Sequence, residues 1–269
     1  MKIISYGGGV QSTAMIVLAV NGTIPNVDAA LFANVGDDSE HPATLEYVRN
    51  VMIPWANGKG FRVEELQRTM KDGSTRTLWQ EITRPGSRSI KIPVRMSKTG
   101  APGNRSCTSD YKIKVVNKWL RKNGATKDNP ATVLIGISTD EFHRANNRRP
   151  EPTQIAEYPL IDLGLDRTDC QNVIRNAGLP VPPKSSCFFC PFHRLQTWRE
   201  MRRDEPELFW KSVELERHIN QVRKELDREP VYLTDRQVPL EEAAQEAGPT
   251  LFDEEIFNQG KCDEGYCWT

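Results

Sequence analysis

The stretch Ser5-Tyr6-Gly7-Gly8-Gly9-Val10-Gln11-Ser12-Thr13 places three consecutive glycines between two apolar segments near the start of the chain. The preceding Ile3 and Ile4 are typical of a buried strand, and residues 13–19 are typical of a helix. Glycine lets the backbone approach an anion closely, and the first N–H groups of a helix point toward it. The stretch therefore predicts a strand, a phosphate-binding turn and a helix, with a ligand-free glycine turn as the alternative.

Two more apolar runs have the length of buried strands, at residues 29–33 and 132–136. Helical patterns separate the strands, at 42–55 and 109–122. This alternation predicts an α/β fold with a mostly parallel sheet and helices on both faces. Polar segments follow each of the three strands, so they are expected to converge at the carboxyl edge of the sheet.

The length of 269 residues allows one α/β core and an appended subdomain. We expect a nucleotide-binding domain over residues 1–181 and a C-terminal helical subdomain over 182–269. A helical pattern at 195–227 is interrupted near Pro206. The segment 84–105 is rich in glycine, proline, serine and basic residues, which favours a lid or a disordered loop.

Charge and hydropathy exclude little and favour a cytoplasmic protein. Lysine plus arginine total 36, as do aspartate plus glutamate, so net charge indicates neither nucleic acid nor membrane binding. No stretch approaches the roughly 20 apolar residues of a membrane-spanning helix. In a cytoplasmic protein, the six cysteines are more typical of metal ligands or redox groups than of disulfides.

The glycine stretch resembles the Ser-Gly-Gly-x-Asp-Ser loop of the PP-loop ATP pyrophosphatases, and the chain is most similar to their phosphoadenosine phosphosulfate reductase branch and its adenine nucleotide α-hydrolase relatives. This resemblance implies binding of ATP or a related adenine nucleotide with Mg²⁺, and cleavage between the α- and β-phosphates. Two positions depart from the pattern: Gly7 replaces serine, and Gln11 replaces an aspartate that could hold Mg²⁺. The cofactor-binding residues implied are Ser5, Gly7, Gly8, Gly9, Gln11, Ser12, Asn34 and Gly136.

Two further segments resemble the same branch. Residues 32–44 are similar to its Asp-Thr-Gly-x-Glu-x-Pro-x-Thr segment, with Asn34 in place of the aspartate. The alternative for Asp37, Asp38 and Glu40 is a solvated first turn of a helix.

The other segment, residues 136–144, is similar to a Gly-Ile/Val-x-x-Asp-Glu-x-x-Arg turn. There Asp140 or Glu141 is expected to hold Mg²⁺ or a sugar hydroxyl, and Arg144 a phosphate. A surface ion pair between Glu141 and Arg144 is the alternative.

Four of the cysteines form a second group of candidate functional residues, and they indicate a metal site. Cys107, Cys187 and Cys190 resemble three of the four ligands of iron–sulfur adenylylsulfate reductases, in which a cysteine occupies the position of Ser106. The resemblance implies a [4Fe–4S] cluster that Cys170 completes or that keeps one iron open. Zinc bound by the same thiols with His193 is the competing metal, and buried or turn-forming cysteines without metal are the remaining alternative. Lys112 and Lys114 beside Cys107 either face an anion or are solvated.

The C-terminal segment 260–269 carries Cys262 and Cys267 and loosely resembles the reactive cysteine tail of the reductases. It is expected to be a mobile redox tail, or to supply further ligands.

These features favour ATP-dependent, adenylating sulfur transfer to a nucleic acid. The alternatives are reduction of an adenylyl or phosphoadenylyl sulfate, and a non-catalytic nucleotide or nucleic-acid binding module. The expected partners are an adenine nucleotide, a tRNA or DNA substrate, a sulfur donor or thiol reductant, and a second copy of the chain in a homodimer, with no membrane.

Overall fold

A computed structural model describes residues 1–147 and 151–245. These residues group into two units. The first unit comprises residues 1–75 and 108–186, and the second comprises 76–107 together with the described residues from 187 onward. The chain therefore leaves the first unit after residue 75 and returns at 108, and the described residues from 187 to 245 belong to the second unit.

The first unit is built on a parallel sheet of five strands in the order β3-β2-β1-β5-β6. Its strands are β1 (Lys2–Tyr6), β2 (Ala29–Asn34), β3 (Val63–Gln67), β5 (Ala131–Ile135) and β6 (Gln154–Glu157). The three central strands β2, β1 and β5 are almost entirely buried, which explains why each is a continuous apolar run. The edge strands β3 and β6 are half-exposed.

Helices cover both faces of this sheet. On one face Ile4 and Phe32 pack with α1 (Val10–Val20) and α7 (Arg167–Asn176). On the other face Ile3 and Leu31 pack with α5 (Lys114–Lys122). The remaining helical segments of this unit are α2 (Pro42–Glu46), a π-helical segment (Tyr47–Met52), α3 (Ile53–Gly58), a second π-helical segment (Thr108–Ile113), a 3₁₀ segment (Thr139–Asn147) and α6 (Pro159–Asp162).

The second unit is mainly helical, with α4 (Leu78–Thr83), α8 (Leu195–Asp204), α9 (Pro206–Glu225) and α10 (Leu240–Ala243). The short strands β4 (Arg95–Met96) and β7 (Val231–Tyr232) pair antiparallel. Its core contains an aromatic group in which Trp79, Phe188 and Phe189 lie 4.9 to 5.8 Å apart between ring centroids. Segment 76–107 thus belongs with the C-terminal helices through this strand pairing and these ring contacts.

The structure confirms the α/β class, the parallel sheet and the additional C-terminal helices. The interruption near Pro206 is also found, because α8 ends at Asp204 and α9 begins at Pro206. Segment 84–105, expected to be a lid of the first domain, groups with the second unit and buries Ile92 and Val94. The last boundary between the two units lies between residues 186 and 187.

No helix among the described residues is both long and apolar enough to cross a membrane. Cys262, Cys267 and the rest of the C-terminal segment 260–269 lie outside the described residues.

Candidate functional site

The strand order reverses at β1. From β1 the chain adds β2 and then β3 on one side, and later places β5 and β6 on the other side. The segments that follow β1 and β5 therefore flank a crevice of the kind in which parallel α/β sheets bind ligands. They lie close together, because a Cβ atom added to Gly136 would be 3.0 Å from the backbone nitrogen of Ser12.

The first turn of α1 is buried and leaves donors unused. Val10, Gln11 and Ser12 are each at most 8% exposed. No described group accepts a hydrogen bond from their backbone N–H groups, and the first turn carries no acidic side chain. Buried helix starts normally have capping partners, so these three donors are available to bind an anion.

The side chain of Ser12 shapes the loop. Its hydroxyl accepts a hydrogen bond from the N–H of Gly7 at 3.2 Å and donates to the carbonyl of Gly9 at 3.2 Å. These contacts hold the glycine turn against the start of α1, so Ser12 acts on the backbone of the predicted phosphate loop.

Packing also dictates glycine at position 8. Gly8 has a φ of +78°, which disfavours other residues, and an added Cβ would lie 2.8 Å from Cγ2 of Thr44. A bulky residue at this position would disturb the fold even without a ligand. Gly9 differs, since its extended backbone suits any residue and its Cβ would meet only the Ser185 side chain.

Gln11 is the centre of a polar cluster in the crevice. Its side-chain nitrogen donates to the hydroxyl of Ser138 at 3.4 Å, and its oxygen accepts from Nη1 of Arg167 at 3.3 Å. The backbone N–H of Arg167 in turn donates to Asp140 at 3.2 Å. An aspartate at position 11 would hold Mg²⁺ as a carboxylate, whereas Gln11 links the guanidinium of α7 to the segment that follows β5.

Both polar atoms of the Asn34 side chain have hydrogen-bond partners within the protein. Its amide nitrogen donates to Asp37 and Glu65, each at 2.7 Å, and its oxygen accepts from the N–H of Gly36. Arg49 bonds both carboxylates at 2.6 to 2.9 Å. The Arg49 hydrogen bonds lower the pKa of Asp37 and of Glu65. Asn34 therefore organises an ion-pair network at the ends of β2 and β3.

Two ion pairs are buried at residues that the sequence analysis expected to face solvent or to bind a ligand. Glu141 and Arg144 bond each other and are almost fully buried, so the pair exists but is not at the surface. Glu40 is 2% exposed and lies 3.7 Å from the ammonium of Lys112, which is also buried. The alternative expectation that Glu40 and Lys112 are solvated is therefore wrong. Exposed Lys114 bonds Asp110, four residues before it.

Cys187 and Cys190 lie at the ends of a turn in the second unit. The N–H of Cys190 donates to the carbonyl of Cys187 at 3.1 Å, and Nε2 of His193 donates to the same carbonyl at 3.0 Å. Between them, Phe188 and Phe189 are buried, which anchors the turn and leaves both cysteines partly exposed. Cys107 of the same unit is also partly exposed, and its N–H bonds the carbonyl of Lys91.

Cys170 has a different environment. It is fully buried in the apolar cluster beneath α7 in the first unit. Burial raises the pKa of its thiol to about 12, so forming the thiolate that a metal requires would be costly there.

Three soft thiols suit iron or zinc chemically. As placed, however, the His, Cys, Asp and Glu side chains of residues 1–147 and 151–245 form no group of three able to hold a metal ion. The cluster and zinc stay sequence predictions, and no reaction step is assigned to them.

Sequence reasoning missed Arg167 and Ser138. Arg167 stands at the first position of α7, directly after the Asp166 cap, and this capping pattern was the available signal. Ser138 lies in the quoted segment after β5, but a buried serine carries no distinguishing pattern.

No protein-family model matches the chain, and no curated protein matches it. The structure is that of an α/β fold with a five-stranded parallel sheet and flanking helices, a form compatible with nucleotide binding.

Proposed function

We propose that this protein binds ATP at the carboxyl ends of β1 and β5 and uses it to adenylate a nucleic acid for sulfur transfer. One observation carries the nucleotide assignment: the buried start of α1 presents three N–H groups without a described acceptor at the point where the strand order reverses. Membership of the PP-loop superfamily is part of the proposal and is supported by the glycine stretch and by the order of the three motifs.

The chain's own residues supply the binding groups. The N–H groups of Val10, Gln11 and Ser12 hold phosphate oxygens, and the guanidinium of Arg167 adds positive charge beside Gln11. Asp140 is the exposed carboxylate of the segment after β5, and we assign it the Mg²⁺ that accompanies ATP. Arg144 is bound to Glu141, so we assign this pair to holding that segment in place.

The reaction has two displacement steps. An oxygen of the nucleic acid forms a bond to the α-phosphorus of ATP, the bond to the β-phosphate oxygen breaks, and pyrophosphate leaves. Hydrosulfide from a donor then forms a bond to the carbon that carries this oxygen, the carbon–oxygen bond breaks, and AMP leaves with the oxygen. The amides and Arg167 stabilise the charge that develops on the phosphates in the first step.

The nucleotide assignment is tested by replacing Arg167 with alanine and measuring ATP affinity by calorimetry. Alanine keeps the backbone N–H that bonds Asp140 and removes the side chain beyond Cβ, including the guanidinium that bonds Gln11. We expect affinity to fall about tenfold, which corresponds to one charge-assisted contact. The matched control is Arg175→Ala on the same helix, since the bonds of the Arg175 guanidinium go to Asn172 and Gln171 of that helix.

Equal ATP affinity in the two variants and the wild type would overturn the site. The reaction class is tested separately with wild-type protein and candidate tRNA and DNA. Pyrophosphate release supports adenylation, sulfite release from an adenylyl sulfate would replace it with the reductase alternative, and binding without either product would replace it with a non-catalytic module.

A further inference from the structure

A groove of about 450 Å³ runs along the edge strand β3 in the first unit. One wall is β3 with Arg68 and Thr69 that follow it, and the other is the helical segment 108–122. We call it the lysine groove because Lys114, Lys118 and Lys122 line it. Its volume lies within the range of pockets that enclose one drug-sized ligand.

The three lysines form a row. They are spaced four residues apart, so they lie on one face of α5 at intervals of about 6 Å and span about 12 Å. The opposite face of α5 is apolar, and Val116 and Leu120 are buried against the sheet. Sheet packing thus fixes the direction in which the row faces.

The groove has excess positive charge. Of its two acidic residues, Glu65 is bound by Arg49 and Asp110 is bound by Lys114. Within the described part of the chain, no carboxylate forms an ion pair with Lys118 or Lys122. Two cations of the row therefore remain uncompensated.

Arg68 supplies an independent indication of a ligand. Its guanidinium lies over the ring of Tyr111, 4.6 Å from the centroid. Its Nη1 atom is buried, and no described group accepts a hydrogen bond from it. The Arg68 side chain as a whole is only partly buried and lines the groove, so its positive charge attracts an anion at this end of the groove.

The geometry favours an extended polyanion over a single small ion. Cations occur along the whole length of α5 and again at Arg68, whereas a phosphate ion would contact only one or two of them. Trp119 also lines the groove, and its indole N–H donates to Glu64 at 2.9 Å, which fixes the ring. A fixed aromatic ring beside a row of cations is the arrangement with which proteins hold single strands.

We propose that the lysine groove binds single-stranded nucleic acid through its phosphodiester backbone. Arg68 follows β3, so the groove opens at the same edge of the sheet as the glycine turn, and β3 lies two strands, or about 10 Å, from β1. The choice of nucleic acid rests on the proposed function, whereas the anion site rests on the groove alone.

The test measures binding of fluorescein-labelled 20-nucleotide oligo(U) and oligo(dT) by anisotropy, without ATP, between 50 and 300 mM salt. The double variant Lys118→Gln/Lys122→Gln should bind at least fivefold more weakly at 50 mM salt. Its plot of log affinity against log salt should be shallower by about 1.4, because each contact with a single strand contributes about 0.7. Arg68→Gln should weaken binding in the same direction.

The matched control is Lys59→Gln/Lys127→Gln, which removes the same charge from exposed lysines of the first unit outside the groove. Its affinity should stay within twofold of the wild type. Equal losses in the two double variants would overturn the groove. Displacement of the oligonucleotide by tripolyphosphate at equal phosphate concentration, or equal affinity for a duplex, would overturn the single-strand assignment.

ATP affinity is measured on the same preparations. The groove variants should keep the wild-type ATP affinity, whereas Arg167→Ala should bind ATP about tenfold more weakly and keep oligonucleotide binding. Failure of the groove and failure of the nucleotide site therefore give different results.

Discussion

Asn34 shows how one amide determines the charge balance at the end of β2. It lies between two carboxylates and donates to both, and Arg49 neutralises them from the other side. The PP-loop segment that residues 32–44 resemble has aspartate at this position. In this chain, aspartate would place a third carboxylate beside Asp37 and Glu65 and remove both donors.

We predict that Asn34→Asp lowers the free energy of unfolding by about 3 kcal/mol at pH 7, through like-charge repulsion and two lost hydrogen bonds. Urea unfolding measures this. The new carboxyl would have a raised pKa, so the folded state would take up a proton and the deficit should shrink as the pH falls. The double variant Asn34→Asp/Glu65→Gln should recover part of the loss, because the glutamine amide can donate to the carboxylate introduced at position 34. A deficit that is independent of pH and additive with Glu65→Gln would contradict this account.

For single residues, the sequence shows that a position is important more reliably than it shows the physical reason. Gly8 was predicted from the closeness of a phosphate, whereas its positive φ and its contact with Thr44 already require glycine. Gln11 was interpreted as a lost metal ligand, whereas it links Ser138 and Arg167. Both reasons depend on residues distant in the sequence, which a local pattern does not contain.

At the level of elements, Glu216 of α9 ties the end of the described chain to the second unit. This residue is 4% exposed, and its carboxyl group accepts hydrogen bonds from the N–H groups of Leu233 and Leu240, at 2.6 and 2.8 Å. Burial raises the pKa of this carboxyl group to about 7, even though the two N–H groups act in the opposite direction.

A raised pKa fixes the sign of the pH dependence. Between about pH 4.5 and 7 the folded state holds a proton that the unfolded state has released, so stability falls as the pH rises. We predict that Glu216 lowers the free energy of unfolding by about 3 kcal/mol across this interval. Urea unfolding at several pH values should show this decline in the wild type and in Glu214→Gln, an exposed control on the same helix. In Glu216→Gln the decline should be absent, and parallel curves for all three proteins would contradict the prediction.

The elements themselves were predictable wherever burial gave them a strong pattern. The central strands and the helices at 42–58, 108–122 and 195–225 follow the apolar periodicity, although π-helical segments occur within the first two. The edge strands β3 and β6 were missed because both are rich in glutamate and glutamine, which interrupt any apolar run. Pairing with β2 and β5 makes them strands, and that pairing is tertiary.

At the scale of the whole molecule, the two units divide the cysteines. Cys107, Cys187 and Cys190 belong to the second unit and are partly exposed, whereas Cys170 belongs to the apolar core of the first. Sequence spacing could not separate these environments. The sequence pattern placed four cysteines in one ligand set, and only their burial in the structure distinguishes Cys170 from the other three.

We predict that any metal the protein binds depends on the three partly exposed thiols and not on Cys170. Iron, zinc and acid-labile sulfide should be quantified after anaerobic purification of four single alanine variants. Alanine at 107, 187 or 190 should remove most of the metal, because each removes a soft ligand. Cys170→Ala should retain all of it, since a thiol with a pKa of about 12 in an apolar cluster is a poor ligand. Alanine is preferred to serine there because a buried hydroxyl without a partner would itself destabilise the core. Metal loss in Cys170→Ala despite an unchanged unfolding midpoint would contradict the division, and a metal-free wild type would make the cluster and zinc predictions wrong together.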